Sequence, residues 1–259
     1  MFNFLQIHEE IPSVSPDKLF EVAGWPISNS FLMSVLILVL FVLLGIYIKT
    51  IWKEMPNKAQ SIIEIVYEWM VSLIIQITGD RKKAEAILPL IASLFLFIAV
   101  ANSLSIVPGI SSITYNGLPL FRTPTTDFNT TLGLALGMIV IINLISLRDY
   151  GFWGYVGKFV QVKDVVLGFR RGFKDGAMAL VNFAIGLLDI ISELAKIISL
   201  SLRLFGNVYA GEVLVVVLFG AVAYAVPGAW LMLSVLFGLV QAVVFGSLAA
   251  AYYAQARKP

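Results

Sequence analysis

The chain has 259 residues, of which 13% are charged, about half the share of a typical soluble domain. Hydrophobic residues make up 59% and the mean hydropathy is +0.91, so the apolar surface exceeds what one soluble core could bury. The net charge of +2 argues against a nucleic-acid partner, and the lack of cysteine excludes disulfides and thiolate metal sites. With His8 as the single histidine, we expect no metal and no cofactor. The composition predicts a multi-span membrane protein.

Uncharged windows predict where the chain lies in the membrane, because an ionised side chain at the bilayer centre costs about 2.5 to 3.5 kcal/mol. They indicate an all-α polytopic protein with about five membrane-embedded helices in one membrane domain. In chain order, the predicted segments are an N-terminal tail over 1–30, spans over 31–51, 87–107 and 128–147, a loop over 148–176, a long helix over 177–220, a final helix over 230–254 and a tail over 255–259.

A different pattern fills residues 57–79, between the first two spans. Polar side chains recur there every three to four residues, from Ser61 through Glu64 and Glu68 to Gln76, against an apolar face. This periodicity is typical of an amphipathic helix that lies in the membrane interface. A sixth membrane crossing is the alternative, and it would bury Glu64 and Glu68.

The segment 177–220 is too long for an ordinary span. As one helix it would measure about 66 Å, roughly twice the thickness of the hydrocarbon layer. If it crosses once, 14 of the 18 Lys and Arg residues fall in loops on one side of the membrane and two on the other. This asymmetry predicts an outer N-terminus and a cytoplasmic C-terminus, whereas a hairpin would put the basic C-terminus outside. Neighbouring protein must hold the single helix at a steep tilt.

The long helix contains ionisable residues, which mark functional sites when they lie inside a membrane. At 100° per residue, five of its side chains share one 80° sector, here called the polar stripe: Asp189, Lys196, Ser199, Arg203 and Asn207. Glu193 falls just outside this sector, and Glu212 lies on the opposite face from Arg203. Asp189, Glu193 and Lys196 have an alternative interpretation, in which they pair with one another as ordinary charges near the cytoplasmic end.

Arg203 is the residue of the stripe that is hardest to explain as structural. It lies well inside the apolar run, and no acid is found three or four residues before or after it. Lys196 carries a charge of the same sign. We therefore expect a carboxylate from elsewhere, such as another subunit, or a water-filled cavity to stabilise the guanidinium.

These residues form part of a longer motif. The run SLSLRLFGNVYAGE over 199–212 resembles the signature of subunit a of F-type ATP synthases. The resemblance covers most of the chain, and its further landmarks are Asn102, Pro108-Gly109, the segment 124–131 (PTTDFNTT) and the segment 241–245 (QAVVF). It implies a stator subunit that works with a ring of c subunits, the peripheral-stalk b subunits and the rest of the complex. The expected location is an energy-transducing membrane such as the bacterial plasma membrane.

The resemblance also implies roles for single residues. Arg203 would be the essential arginine that faces the c-ring, with Asn207 and Gln241 as its polar neighbours. Asn102 would lie on the ion path, and Glu212 would belong to the half-channel open to the outer side. The residues that match the cytoplasmic half-channel are Asp189, Glu193, Lys196 and Ser199.

One position departs from the pattern of some members of the family. Ser234 lies seven residues before Gln241, where those members have a histidine. Glu212 must therefore act with water, with Ser234, or with an acid such as Asp127. Asp127 has a simpler alternative role, in which it only caps the helix of the third span.

Two other functions are the alternatives. An ion-coupled secondary transporter would need internal repeats or a substrate-sized polar cavity, and neither is found in the sequence. A purely structural scaffold would leave Arg203 unexplained. Within the resembled family, sodium is the alternative to the proton, because the ion-binding carboxylate belongs to the partner.

Overall fold

The structure is a computed structural model of the chain. It describes residues 13–22, 24–52, 58–104, 107, 110, 113–159, 167, 170, 172–221 and 225–257. Several predicted features therefore lie outside the described residues. They are residues 1–12 and 23 of the N-terminal tail, which include His8, then Pro108-Gly109, and residues 160–166, 168, 169 and 171 of the loop predicted over 148–176.

Six long helices make up the described fold: α1 (Asn29–Ile51), α2 (Lys58–Thr78), α3 (Arg81–Leu104), α4 (Phe128–Phe159), α5 (Phe173–Ala221) and α6 (Ala225–Ala256). Each contains a stretch that is long and apolar enough to cross a membrane. The prediction of an all-α polytopic membrane protein is confirmed. The expected five embedded helices and one amphipathic helix correspond to these six elements.

Two short antiparallel hairpins, which the helix prediction did not include, lie outside the apolar segments. One pairs β1 (Lys18–Val22) with β2 (Trp25–Ser28), and the other pairs β3 (Thr114–Tyr115) with β4 (Leu118–Pro119). The second turns at Asn116-Gly117, where both residues have positive φ, 52° and 82°. An Asn-Gly pair is preferred in such a two-residue turn, because both residues tolerate that backbone conformation.

Several helices extend beyond the predicted apolar windows. α3 begins at Arg81 rather than 87, and α4 continues past 147 to Phe159, with a break at Gly151 (φ 71°, ψ 165°). α5 begins at Phe173, so the connection predicted over 148–176 is shorter in the structure. A hydropathy window ends at the first charges, whereas backbone hydrogen bonds continue through charged residues that reach water.

The turn between α2 and α3 follows from two residues. Gly79, with a φ of 72°, donates its backbone N–H to the Ile75 carbonyl oxygen at 2.8 Å and ends α2. Asp80 then accepts the backbone N–H of Lys82 at 2.9 Å and caps the start of α3. The two helices are therefore joined by a tight connection.

The core lies where α2, α3, α4, α5 and α6 meet. Its buried side chains include one or more from each helix, for example Val71, Ile91, Met138, Leu204 and Phe245. α1 is different, because it packs only near its start, where Met33 and Ile37 contact the end of α3 around Ala101. Most of α1 is left exposed as an apolar surface.

α5 and α6 run antiparallel. Their contacts pair Lys196 with Tyr252, Asn207 with Gln241, and Gly211 with Trp230, so positions late in one helix meet positions early in the other. α3 and α6 are antiparallel by the same criterion, since Asn102 contacts Gly238 and Ile91 approaches Gly246. These pairings place the polar stripe beside the C-terminal half of α6.

Contacts at one end of the helices define what we call the tail side. Asn29 at the start of α1 donates hydrogen bonds to an Asp17 carboxylate oxygen at 3.2 Å and to the Pro119 carbonyl oxygen at 3.4 Å. Arg122, just before α4, donates to the Ser15 carbonyl oxygen at 3.0 Å. The tail and the α3–α4 connection therefore lie together.

Contacts at the opposite end define the clamp side. Arg257, after α6, forms an ion pair with Asp149 of α4 at 2.6 Å. The hydroxyl of Tyr150 donates to the Arg257 carbonyl oxygen at 2.8 Å, and the hydroxyl of Ser146 donates to the Ala256 carbonyl oxygen at 3.1 Å. The end of α6 thus lies beside the part of α4 that precedes its break at Gly151.

Candidate functional site

Two leucines fix the rotation of α5 around the polar stripe. Leu200 and Leu204 are one turn apart and fully buried in the core, so the opposite side of the helix must point outward. Arg203 and Asn207 are exposed in the chain, at the edge of this outward side nearest α6. Ser199, one turn before Arg203, is also exposed.

Arg203 has no acidic partner in the part of the chain that the structure describes. The four ion pairs found there involve other residues. Its guanidinium does lie close enough to Tyr252 of α6 to influence that phenol electrostatically. The expectation that Arg203 has no acidic partner on its own helix agrees with this geometry.

Asn207 and Gln241 meet directly. The Asn207 side-chain amide donates a hydrogen bond to the Gln241 side-chain oxygen at 2.9 Å. Gln241 is only 5% exposed, and its side-chain nitrogen has no hydrogen-bond partner within the described residues. A buried amide nitrogen without a partner is uncommon and typically marks a place where water or another group binds.

Asn102 is also buried, but its side chain is bonded on both sides. Its nitrogen donates to the Gly238 carbonyl oxygen at 3.3 Å, and its oxygen accepts from the Thr125 hydroxyl at 2.6 Å. Asn102 thereby joins α3, α6 and the short 3-10 turn Pro124–Thr126 that precedes α4. A bonded carboxamide holds helices together and does not titrate.

Glu212 lies on the side of α5 that faces the segment before α4. Its carboxyl group interacts with the Thr123 side chain, and Arg122 is near enough to act on it electrostatically. Ser234 of α6 lies beside Gly211, the residue that precedes Glu212. A β-carbon added at Gly211 would be 3.8 Å from the Ser234 hydroxyl oxygen. That hydroxyl is buried and has no partner among the described residues.

Asp127 caps α4. Its carboxylate accepts the backbone N–H of Asn129 at 3.0 Å and the hydroxyl of Thr130 at 3.1 Å. Both bonds are local, and Asp127 is 5% exposed. The structure therefore shows the capping geometry that the sequence left open as an alternative, and it shows no bond between Asp127 and Glu212.

The charged residues toward the start of α5 do not form one cluster. Lys196 pairs with Glu193 at 2.7 Å, and its ammonium lies 5.1 Å from the centre of the Tyr252 ring. Asp189 is half-buried and takes no part in that pair. The alternative in which the three residues pair with one another thus holds for Glu193 and Lys196 alone.

Sequence reasoning missed three residues that the structure brings to this region. Arg122 has no predicted role, but it donates to Ser13, Ser15 and Thr126. Tyr252 of α6 lies near Lys196 and close enough to Arg203 to feel its charge. Gly238 gave no signal, since its importance depends on a contact with a residue 136 positions away.

Comparison with known proteins identifies the family of the chain. The sequence profile of the family described as ATP synthase A chain matches residues 30–254. The chain is 32% identical to the ATP synthase subunit a of Desulforamulus reducens, over 92% of this chain and 83% of that protein. It is 31% identical to the ATP synthase subunit a of Moorella thermoacetica, over 93% of this chain and 96% of that protein. The chain therefore belongs to the ATP synthase A chain family, whose members are membrane-sector subunits of ATP synthase.

Proposed function

We propose that this subunit carries protons through two offset half-channels to and from the carboxylates of a c-ring, with Arg203 as the fixed cation between them. The observation that supports the proposal best is Arg203 itself. It is exposed on an apolar, membrane-embedded helix, and no acid of the described chain pairs with it. A lone charge in lipid is costly, so a carboxylate of a partner is the natural counter-charge.

The chemistry of arginine suits this role. A guanidinium keeps its proton in proteins, so Arg203 cannot serve as a proton carrier. A permanent positive charge favours the ionised form of a nearby carboxylate and thus promotes proton release from it. The same charge opposes the direct passage of a cation between the two half-channels. The electrical part of the gradient supplies about 2.3 kcal/mol per charge per 100 mV.

The outer half-channel is proposed to run from Glu212 to the Asn207–Gln241 pair. The buried hydroxyl of Ser234 and the buried side-chain nitrogen of Gln241 are polar atoms without partners within the described residues, on one face of α6. Water at these two atoms would connect Glu212 with the stripe, in place of the histidine that some relatives use. The cytoplasmic half-channel would use Asp189 and Ser199, with Lys196 and Glu193 beside it.

The apolar side chains next to the stripe fit a protein partner. Leu188, Ile191, Ile198 and Leu202 are all at least half exposed and lie along the outward side of α5. Helices of a c-ring would cover this surface, and peripheral-stalk b subunits and lipid are the proposed partners elsewhere. Sodium remains the alternative coupling ion.

The helix directions support the proposed topology. α1 starts on the tail side and α3 ends there, so these two helices cross the membrane in opposite directions. The connecting helix α2 must therefore begin and end on the same side of the membrane. This parity favours an interfacial α2 over a sixth crossing. With basic loops inside, the N-terminus would be outside and the C-terminus cytoplasmic in a bacterial plasma membrane.

The decisive variant is Arg203→Ala. Its matched control is Arg148→Ala, which replaces an exposed arginine of α4. In membrane vesicles with the complete complex, we expect Arg203→Ala to reduce gradient-driven ATP synthesis at least about 100-fold while the complex still assembles. Arg148→Ala should keep the wild-type rate. Normal synthesis in assembled Arg203→Ala complexes would refute the proposal.

A further inference from the structure

α3 and α6 approach each other unusually closely at Gly238. Gly238 is buried, and a β-carbon added to it would lie 2.7 Å from the Asn102 β-carbon and 3.3 Å from both the Asn102 γ-carbon and side-chain nitrogen. Carbon atoms in proteins do not pack at 2.7 Å, and the nearest of these atoms is held by the α3 backbone. Any side chain at 238 would therefore push α3 and α6 apart.

The Asn102 side chain occupies the space that Gly238 leaves, and it is fixed there. It bonds the Gly238 carbonyl oxygen and the Thr125 hydroxyl, and both Asn102 and Thr125 are almost fully buried. One carboxamide thus connects three elements that are far apart in the sequence. Removing either bond would weaken the connection between these elements.

This junction lies between two contacts of α6 with α5. Gln241 is three residues after Gly238 and Ser234 is four residues before it, about 4.5 Å and 6 Å along the helix axis and on the same face. Gln241 accepts from Asn207, and Ser234 faces Gly211. A slide of α6 along α3 would therefore misalign both contacts.

We propose that Asn102 and Gly238 act as a register lock, in which the Asn102 side chain seated against Gly238 holds Gln241 opposite Asn207. In this proposal Asn102 is a positioning residue rather than a carrier of ions. Apolar helices in lipid have little preference for one register, because lipid tails are as apolar as the helix surfaces. Close approach at a small residue and an interhelical hydrogen bond supply that preference here.

The register can be measured without any ion flow, because the chain has no cysteine. Cysteines placed at Gly211 and Ser234 would be close enough to form a disulfide. In the complete complex, we expect Gly238→Ala to lower the oxidation rate of this pair at least about fivefold. The matched control is Gly228→Ala on the same helix, where an added β-carbon meets nothing within 4 Å, and it should oxidise at the wild-type rate.

Two more variants separate a register effect from simple destabilisation. Asn102→Gly removes the colliding β-carbon, so combining it with Gly238→Ala should restore part of the lost oxidation rate. Thr125→Val removes one bond of Asn102 without adding volume, and we expect it to lower the rate about twofold. Wild-type oxidation in Gly238→Ala, or a double variant no faster than Gly238→Ala alone, would overturn the lock.

The inference rests on the proposed function only in its consequence for ion flow. Gly238→Ala without the cysteines should lower proton flux about three- to tenfold, through the displaced Asn207–Gln241 pair. If Arg203→Ala retains coupled synthesis, the proposed function fails, whereas the oxidation rates still decide the lock. If the oxidation rates do not change while Arg203→Ala is inactive, the lock alone fails.

Discussion

Arg122 and Asp127 on the tail side differ from Arg203 on the polar stripe in how their charges are satisfied. Arg122 donates hydrogen bonds to the tail and to Thr126, and Asp127 accepts two bonds at the start of α4. Arg203, by contrast, is exposed and has no acidic partner in the described chain, and Ser199 is exposed beside it. Within the described chain, Arg122 and Asp127 thus have polar partners, and Arg203 has no acidic partner.

Under the proposed function, this difference marks where the protein depends on another one. Polar groups that serve only the fold find partners locally, because an unsatisfied group in an apolar environment destabilises the folded state. A charge left without such a partner must be stabilised by something outside the chain. The polar stripe is therefore the surface whose chemistry should respond most strongly to substitution.

Among the substitutions that test this difference, we expect Arg203→Lys to have the largest effect on ATP synthesis. Lysine keeps a positive charge in water but loses its proton readily in an apolar setting, so it is a poor fixed cation. We expect ATP synthesis in vesicles to fall at least about tenfold, with the complex assembled. A wild-type rate in this variant would show that any basic residue suffices.

The next effect concerns Glu212, which lies inside the chain but opposite the stripe. A titratable carboxyl group near water can accept and release protons, and glutamine cannot. Glu212→Gln should therefore slow proton flux about tenfold, and Glu212→Asp, which keeps a carboxyl group, about two- to threefold. The measurement uses vesicles stripped of the catalytic head. Unimpaired flux in Glu212→Gln would remove this residue from the path.

The smallest effect is expected for Asp127, which accepts two hydrogen bonds on the tail side. Asparagine caps helices about as well as aspartate, so Asp127→Asn should keep nearly normal flux if the residue only caps α4. Asp127→Ala removes the cap and should cost about 1 kcal/mol of stability, seen as a lower melting temperature of the complex.

The two substitutions also test the other role of Asp127. If this carboxylate lines the outer path together with Glu212, then Asp127→Asn must slow proton flux by itself, without any loss of stability. Equal flux defects in Asp127→Asn and Asp127→Ala would contradict the capping role and extend the ion path to the start of α4.

The sequence predicted the helices and the position of Arg203 because both depend on local patterns. Apolar windows locate membrane helices, and a 3.6-residue period assigns Arg203, Asn207 and Ser199 to one face. Leu200 and Leu204 then orient that face outward. Predicting the helices and the shared face needs no information about distant parts of the chain, whereas the burial of Leu200 and Leu204 is seen only in the structure.

The remaining features depend on contacts between distant residues. The Asn102 amide contacts Gly238, and Tyr252 approaches Arg203, only because helices far apart in sequence pack in one register. No local period encodes such a register. The hairpin at Asn116-Gly117 is a different case, since its turn signal was present but lay between two dominant apolar segments.

The most direct test of the central claim is cysteine cross-linking between the polar stripe and the partner ring. Single cysteines at Ser199, Arg203 and Asn207 would be compared with Leu204, which is buried, and with Leu43 of α1, which is 60% exposed but lies far from the stripe. With a cysteine in each c subunit, the three stripe positions should cross-link to the ring at least about tenfold faster than either control. Equal yields at Leu43 and at the stripe would contradict the account.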